Sequence, residues 1–170
     1  MTSPQLARLD ELLQRLRLNA VRERLEALLQ DASAQELSYA DFLDRLLSEE
    51  VEAKTAKHVR MRTNLARFPF RKGLDSFDFR YQPSVDRKQV QKLSRCHFVE
   101  HGENLVLLGP PGVGKTHLAV ALGLKAIERG YRVLFTTAAG MLTTLTKALS
   151  EGRFDDKLKV YTIPRLLIID

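Results

Sequence analysis

The chain has 170 residues, of which 44% are hydrophobic and 28% charged, with a formal net charge of +6 at pH 7. Intrinsically disordered chains are poorer in Leu, Ile, Val and Phe. This composition therefore excludes an intrinsically disordered protein and indicates a packed core. With no run of about 18 apolar residues and no export signal, the sequence predicts a cytoplasmic protein that has no membrane partner.

Residues 1–67 are predicted to form a helical N-terminal domain. Ser3 before Pro4 is a helix-start signal, because the serine oxygen accepts an orphan N–H and proline fits the first turn. The first helix then carries apolar residues on one face, namely Leu6, Leu9, Leu13 and Leu16. Asn19 is predicted to cap a second helix with the inward residues Val21, Leu25, Leu28 and Leu29.

A third, long and charged helix is predicted to follow. Ser38 with Asp41 three residues later resembles a capping box, and the helix should end near Phe68 and Pro69. Its apolar positions are Phe42, Leu43, Leu46, Leu47 and Val51. Leucine stripes of this kind are expected to be core rather than partner-binding faces.

Residues 68–99 are predicted to be a basic connector followed by the first helix of the next module. Pro69, Gly73 and Pro83 break the helical pattern, and the connector is expected to pack its aromatic rings, which are Phe68, Phe70, Phe77, Phe79 and Tyr81. Helical spacing returns from about residue 86 to residue 98. The single cysteine, Cys96, is expected to be a plain buried thiol.

The positive charge is concentrated in residues 59–99. This stretch has three acidic residues and ten basic ones: Arg60, Arg62, Arg67, Arg71, Lys72, Arg80, Arg87, Lys88, Lys92 and Arg95. This charge is consistent with a surface that binds nucleic-acid phosphate and equally with a well-solvated connector, so charge alone leaves both open.

Residues 100–170 alternate between strand and helix patterns. Apolar runs predict strands at residues 104–108, 131–136 and 166–169, and helices are predicted at residues 117–129 and 138–150. This alternation predicts an α/β fold with a parallel sheet and flanking helices.

The segment between the first of these strands and the following helix fits the pattern G-x-x-x-x-G-K-[ST]. Its residues are Gly109, Pro110, Pro111, Gly112, Val113, Gly114, Lys115 and Thr116. Glycines let successive backbone N–H groups converge on phosphate oxygens, and the start of the helix adds its positive dipole end. The motif therefore predicts a site for ATP with Mg²⁺, in which the catalytic Lys115 reaches the β and γ phosphates and Thr116 ligates the metal.

Asp170 is predicted to be the second metal residue. It follows four apolar residues, 166–169, as a strand-end carboxylate does in phosphate sites that hold Mg²⁺. The histidines, His58, His97, His101 and His117, have no metal or triad spacing and receive no function.

Several segments together closely resemble one family. They are Phe77-Asp78-Phe79, Gln82-Pro83-Ser84, Asp86-Arg87-Lys88, Gly102-Glu103-Asn104, the glycine loop with His117-Leu118-Ala119, and residues 130–138. This combination resembles the IstB family of insertion-sequence helper ATPases, which are related to the DnaC helicase loaders. The resemblance runs from about Leu6 to Asp170.

The resemblance implies an AAA+ core preceded by a small all-α domain. It also implies an ATP-dependent oligomer on duplex DNA that cooperates with a DDE-type, IstA-like transposase in preparing the target. Its strand order, 5-1-4-3-2, leaves a strand missing between residues 104–108 and residues 166–169, so a hole in the sheet is expected.

The chain is expected to match only the first two thirds of a member. The hydrolytic Glu, the sensor residue, the arginine finger and the C-terminal lid would all lie beyond Asp170, so nucleotide binding with little hydrolysis is expected. Two alternatives are a DnaC-like loader of a replicative helicase and a small-molecule P-loop kinase, for which the helical domain and basic connector have no obvious use.

Overall fold

The computed structural model describes residues 4–170, so the predicted cap at Ser3 lies outside the described residues. The chain divides into two compact units, Met1–His58 and Val59–Asp170. This division falls within a helix, whereas the sequence-based division was placed after residue 67. Across residues 4–170, no helix has the length and apolarity needed to cross a membrane.

The first unit contains α1 (Pro4–Arg15), α2 (Asn19–Ala34) and the first part of α3 (Tyr39–Leu65). The buried residues of α2 are Val21, Leu25 and Leu28, as predicted, but Leu29, which was also predicted to face inward, is 37% exposed.

The predicted cap at Ser38 is confirmed, although Asp41 bonds to the Ser38 hydroxyl rather than to its backbone N–H as in a complete capping box. The Asp41 N–H donates to Ser38 Oγ at 3.2 Å, and the Ser38 hydroxyl donates to Asp41 Oδ2 at 2.6 Å. This pair satisfies an N–H group that the first turn of the helix leaves without a backbone partner.

The predicted cap at Asn19 is wrong. The residue at the N-cap position of α2 is Leu18, whose side chain makes no capping bond, and Asn19 is the first helical residue. The Val21 N–H in the first turn donates instead to Glu50 Oε2 at 3.1 Å. The Glu50 carboxylate, from α3, therefore accepts the hydrogen bond of an N–H group that the Asn19 side chain was predicted to cap.

The leucine stripe of α3 is not core, which corrects the prediction. Leu43, Leu47 and Val51 are 55%, 51% and 62% exposed, and the buried residue of this helix is Glu50. Glu50 is compensated by the Val21 N–H and by Lys54 Nζ at 3.4 Å. Spacing places residues on one face, but only a packed neighbour buries that face.

The second unit has a parallel sheet with flanking helices, as the sequence predicted. After the end of α3 and a 3₁₀ turn at Leu74–Ser76, its elements are α4 (Arg87–Leu93), α5 (His97–Glu100), α6 (Lys115–Glu128), β1 (Val133–Thr136), α7 (Ala138–Ser150), α8 (Phe154–Thr162) and β2 (Leu166–Ile169). The strands pair in parallel from Val133 opposite Leu166 to Thr136 opposite Ile169. Helix α8 was not predicted.

The core of this unit forms around α6. Ala126 and Ile127 are fully buried in a cluster with Cys96, Phe98 and Val133. The prediction of a buried thiol is confirmed, and burial raises the pKa of Cys96 above its usual value.

The strand predicted at residues 104–108 is absent from the structure. The segment has no regular secondary structure, and Val106 and Leu108 are 71% and 89% exposed. Between it and β2 lies a groove of about 600 Å³, lined by residues from both segments. The described sheet has two strands and gives this segment no partner, and an apolar run cannot form a strand without one.

Candidate functional site

The glycine loop, residues 109–116, ends in the first turn of α6. Gly112 and Gly114 have φ values of 81° and 88°, a left-handed conformation that favours glycine. Gly114 is the N-cap of α6 and offers no side chain to the helix amides. The first N–H groups of this 14-residue helix therefore have no side-chain cap and can bind an anion.

Lys115 is half-buried and folds back over the loop. Its Nζ donates to the carbonyl oxygens of Gly109 at 2.9 Å and Pro110 at 2.7 Å. Both acceptors belong to the loop itself, so the ammonium group is held beside the backbone that would surround a phosphate. A polyphosphate bound here would offer this ammonium stronger, charged acceptors than the two carbonyls.

The two residues predicted as metal ligands meet, although 54 positions separate them. The Thr116 hydroxyl donates to Asp170 Oδ1 at 2.7 Å. The backbone holds Asp170 in place, because its N–H donates to Thr136 O at 3.0 Å and its carbonyl accepts from Ala138 N at 2.9 Å. A hydroxyl and a carboxylate are thus fixed together at the end of β2.

The oxygen atoms of Thr116 and Asp170 could supply part of the coordination of Mg²⁺, with the other ligands coming from outside the protein. Within residues 4–170, no group of three His, Cys, Asp or Glu residues is placed to hold a metal ion. Mg²⁺ is commonly bound by one or two protein oxygens together with substrate phosphates and water. The chemistry of Thr116 and Asp170 suits that arrangement.

The aromatic connector lies within the second unit, and most of its rings are packed, as predicted. The ring centroid of Phe68 lies 6.4 Å from that of Phe135, and that of Phe77 lies 4.9 Å from that of Phe79. Tyr81 is the exception, because it is 85% exposed.

Phe77 also covers the glycine loop. A Cβ built at Gly114 would lie 2.7 Å from Phe77 Cε2, closer than side chains approach one another. Position 114 therefore favours glycine for two reasons: its backbone is left-handed, and the Phe77 ring leaves no room for a Cβ.

His117 is a residue that the sequence-based reasoning missed. It lies in the first turn of α6, its Nε2 is 3.1 Å from Gly73 O, and its ring contacts Phe77 at 5.3 Å between centroids. Metal and triad spacing gave no signal for it. The informative signal was its position directly after Thr116, where a side chain can reach whatever covers the loop.

Most of the ten basic residues between 59 and 99 are exposed, but several are engaged locally. Arg80 pairs with Asp78 at 3.1 Å, which raises the pKa of Arg80 and lowers that of Asp78. Arg62 is half-buried and donates to the Gly130 carbonyl at the end of α6. Lys72 is exposed and makes no hydrogen bond or ion pair with any residue from 4 to 170.

Comparison with known proteins identifies relatives along nearly the whole chain. Residues 11–170 match the family described as IstB-like ATP binding protein. The chain is 42% identical over 163 residues to a protein named as an ATP-binding protein of insertion sequence IS5376 from Geobacillus stearothermophilus. It is 44% identical over 162 residues to one named for IS21 from Pseudomonas aeruginosa, and 35% identical over 158 residues to one named for IS232 from Bacillus thuringiensis.

These matches cover 93–96% of the chain but only 61–65% of the relatives. The chain therefore spans slightly less than two thirds of the length of these relatives.

Proposed function

Because the chain belongs to the family of IstB-like ATP-binding proteins, we propose that it binds ATP with Mg²⁺ at residues 109–116 and acts in DNA transposition. The observation that carries the proposal is the hydrogen bond between Thr116 and Asp170. It unites the end of the glycine loop with a strand-end carboxylate from a distant part of the chain, as a phosphate and metal site requires.

In this proposal each residue of the site has one role. The uncapped N–H groups at the start of α6 and the loop amides hold phosphate oxygens, and Lys115 leaves the Gly109 and Pro110 carbonyls to bind the β and γ phosphates. Thr116 and Asp170 would hold Mg²⁺, which neutralises charge on the phosphates when bound.

Duplex DNA and a transposase are the proposed partners, with self-association on the DNA driven by ATP. The basic surplus in residues 59–99 supports a DNA contact, and the relatives' names place them in insertion sequences. Those names favour transposition over loading of a replicative helicase. The proposed place of action is the cytoplasm.

Titration of a fluorescent ATP analogue with and without Mg²⁺ tests the nucleotide site. The unsubstituted chain is expected to bind the analogue more tightly with Mg²⁺. Most of that gain should be lost in Thr116→Val, which removes an oxygen ligand, and in Asp170→Asn, which removes the negative charge of the other. Asp155→Asn, at an exposed position in α8, is the matched control. An unchanged Mg²⁺ effect in both site variants would remove these residues from the metal site.

Reversing the charge of Arg71 and Lys72 tests the DNA contact. The double variant, each residue to Glu, is expected to weaken binding to every duplex sequence about equally and to flatten the dependence of log K on log salt by about 2. Arg62 is unsuitable, since its bond to Gly130 ties it to the fold. Fluorescence anisotropy at several salt concentrations makes the measurement.

The control for this test is Arg8→Glu with Lys157→Glu, which changes the net charge equally at exposed sites outside residues 59–99. Equal losses in the two double variants would mean that only net charge matters. Such a result would reject the basic connector as the DNA surface.

A further inference from the structure

His117 joins the start of α6 to a segment more than forty residues earlier in the chain. We call residues 70–80 the strap. His117 Nε2 lies 3.1 Å from the carbonyl oxygen of Gly73 and 3.2 Å from Ser76 Oγ, both in the strap. We call these two contacts between the strap and His117, the residue that directly follows Thr116, the clasp.

The surrounding hydrogen bonds determine which nitrogen of His117 carries a proton. The Gly73 carbonyl can only accept, so Nε2 must be the donor. The Ser76 hydroxyl donates to the same carbonyl at 2.8 Å, which leaves its oxygen lone pairs available to the imidazole N–H. His117 therefore acts as a donor at Nε2, in the neutral as well as the protonated ring, and cannot serve as a base through that atom.

Ring packing extends the clasp to the glycine loop. The Phe77 ring lies edge-on to the His117 ring at 5.3 Å between centroids, and Phe70 lies edge-on to it at 6.1 Å. Phe77 is 8% exposed and its edge occupies the space beside Gly114. The strap thus contacts the last glycine of the loop and the first turn of α6 together.

The strap also carries exposed basic side chains, those of Arg71, Lys72 and Arg80. We propose that His117 is a positioning residue that holds the strap against the glycine loop, so that nucleotide at the loop and the placement of these basic groups depend on each other. The proposal rests on the proposed function for its ligands, ATP and DNA phosphate. Coupling of this kind is reciprocal, because a ligand that stabilises one arrangement strengthens whatever else requires it.

Limited trypsin digestion of the 170-residue chain tests the clasp, with cleavage after Arg71 and Lys72 quantified by mass spectrometry. His117→Phe keeps an aromatic ring and removes the donor, and it is expected to speed cleavage there about fivefold. His117→Gln places an amide N–H near the position of Nε2 and is expected to restore most of the protection. His101→Phe, at an exposed histidine, is the matched control.

ATP with Mg²⁺ is expected to slow strap cleavage in the unsubstituted chain and in the His117→Gln variant, but much less in His117→Phe. The affinity of the His117→Phe variant for a fluorescent ATP analogue should fall correspondingly. Ser76→Ala removes one acceptor from the strap side, and it provides the same test if the circular dichroism spectrum shows that His117→Phe is unfolded.

The outcomes of these experiments distinguish the clasp, the coupling to ATP and the proposed function from one another. Equal cleavage after Arg71 and Lys72 in the unsubstituted chain, His117→Phe and Ser76→Ala would overturn the clasp. Tight ATP binding that leaves strap cleavage unchanged would overturn the coupling while leaving the nucleotide site intact. Failure of the unsubstituted chain to bind ATP would overturn the proposed function, and the nucleotide-free digestion would still decide whether His117 holds the strap.

Discussion

Replacing Lys115 with alanine is expected to weaken ATP binding by about 10- to 100-fold. The substitution removes a charge-assisted hydrogen bond, worth roughly 1.5–3 kcal/mol, that no other side chain at the loop replaces. Lys115 is already beside the loop backbone, with its Nζ within 3 Å of two loop carbonyls. Isothermal titration with ATP and Mg²⁺ measures the change.

Two further variants sharpen this test. Lys115→Arg keeps the charge, but its planar guanidinium does not fit where a compact ammonium sits between two carbonyls, so an intermediate affinity is expected. Lys147→Ala removes an exposed lysine of α7 whose ion pair with Glu151, at 3.9 Å, contributes little, and should bind ATP normally. Normal affinity in the Lys115→Ala variant would exclude the loop as the phosphate site.

The second large effect is expected from Gly114→Ala. A methyl group there would meet the Phe77 ring, and the residue would be held at a φ of 88°. Strain of this kind costs about 1–3 kcal/mol and is relieved only by moving the loop or the ring. A loss of about tenfold or more in ATP affinity is expected, measured by the same titration.

Gly152 provides the matched control, because its φ is 68° and nothing lies within 4 Å of a Cβ built there. Gly152→Ala carries a similar backbone cost without the collision, so its ATP affinity should be unchanged. Adding Phe77→Leu to Gly114→Ala removes the ring edge and should restore part of the affinity. If the two glycine variants bind ATP equally well, the contact between the strap and the loop does not constrain the site.

Local sequence signals predicted the elements whose causes are local. The spacing of Ser38 and Asp41 is enough to form the cap of α3, and the apolar run 166–169 became β2 with the bounds expected. The bounds of α7 were also predicted, and Thr137 accepts a hydrogen bond from Gly140 N at its start. In the two helix caps the stabilising contact lies within about one turn of the residue concerned, whereas β2 also depends on its parallel pairing with β1.

The predictions that failed concerned residues whose structure depends on a distant partner. Residues 104–108 have the composition of a buried strand, but a strand needs a neighbour in the sheet and the described sheet offers none. Asn19 has the side chain of a cap, but Glu50 satisfies the first turn of α2 through Val21. Leu47 has the spacing of a core residue but is 51% exposed.

The sequence by itself determined the chemistry of the loop, since glycines, Lys115 and Thr116 at this spacing suit phosphate whatever surrounds them. The position of Asp170 after an apolar run also predicted a carboxylate for this site, whereas only the tertiary structure decided its hydrogen bond to Thr116 and the ring that covers Gly114. Asp170 is 54 residues from Thr116, and Phe77 approaches the loop through the strap that His117 holds. Residue spacing governs backbone conformation over a turn or two, whereas contacts between distant residues depend on how the strands and helices pack.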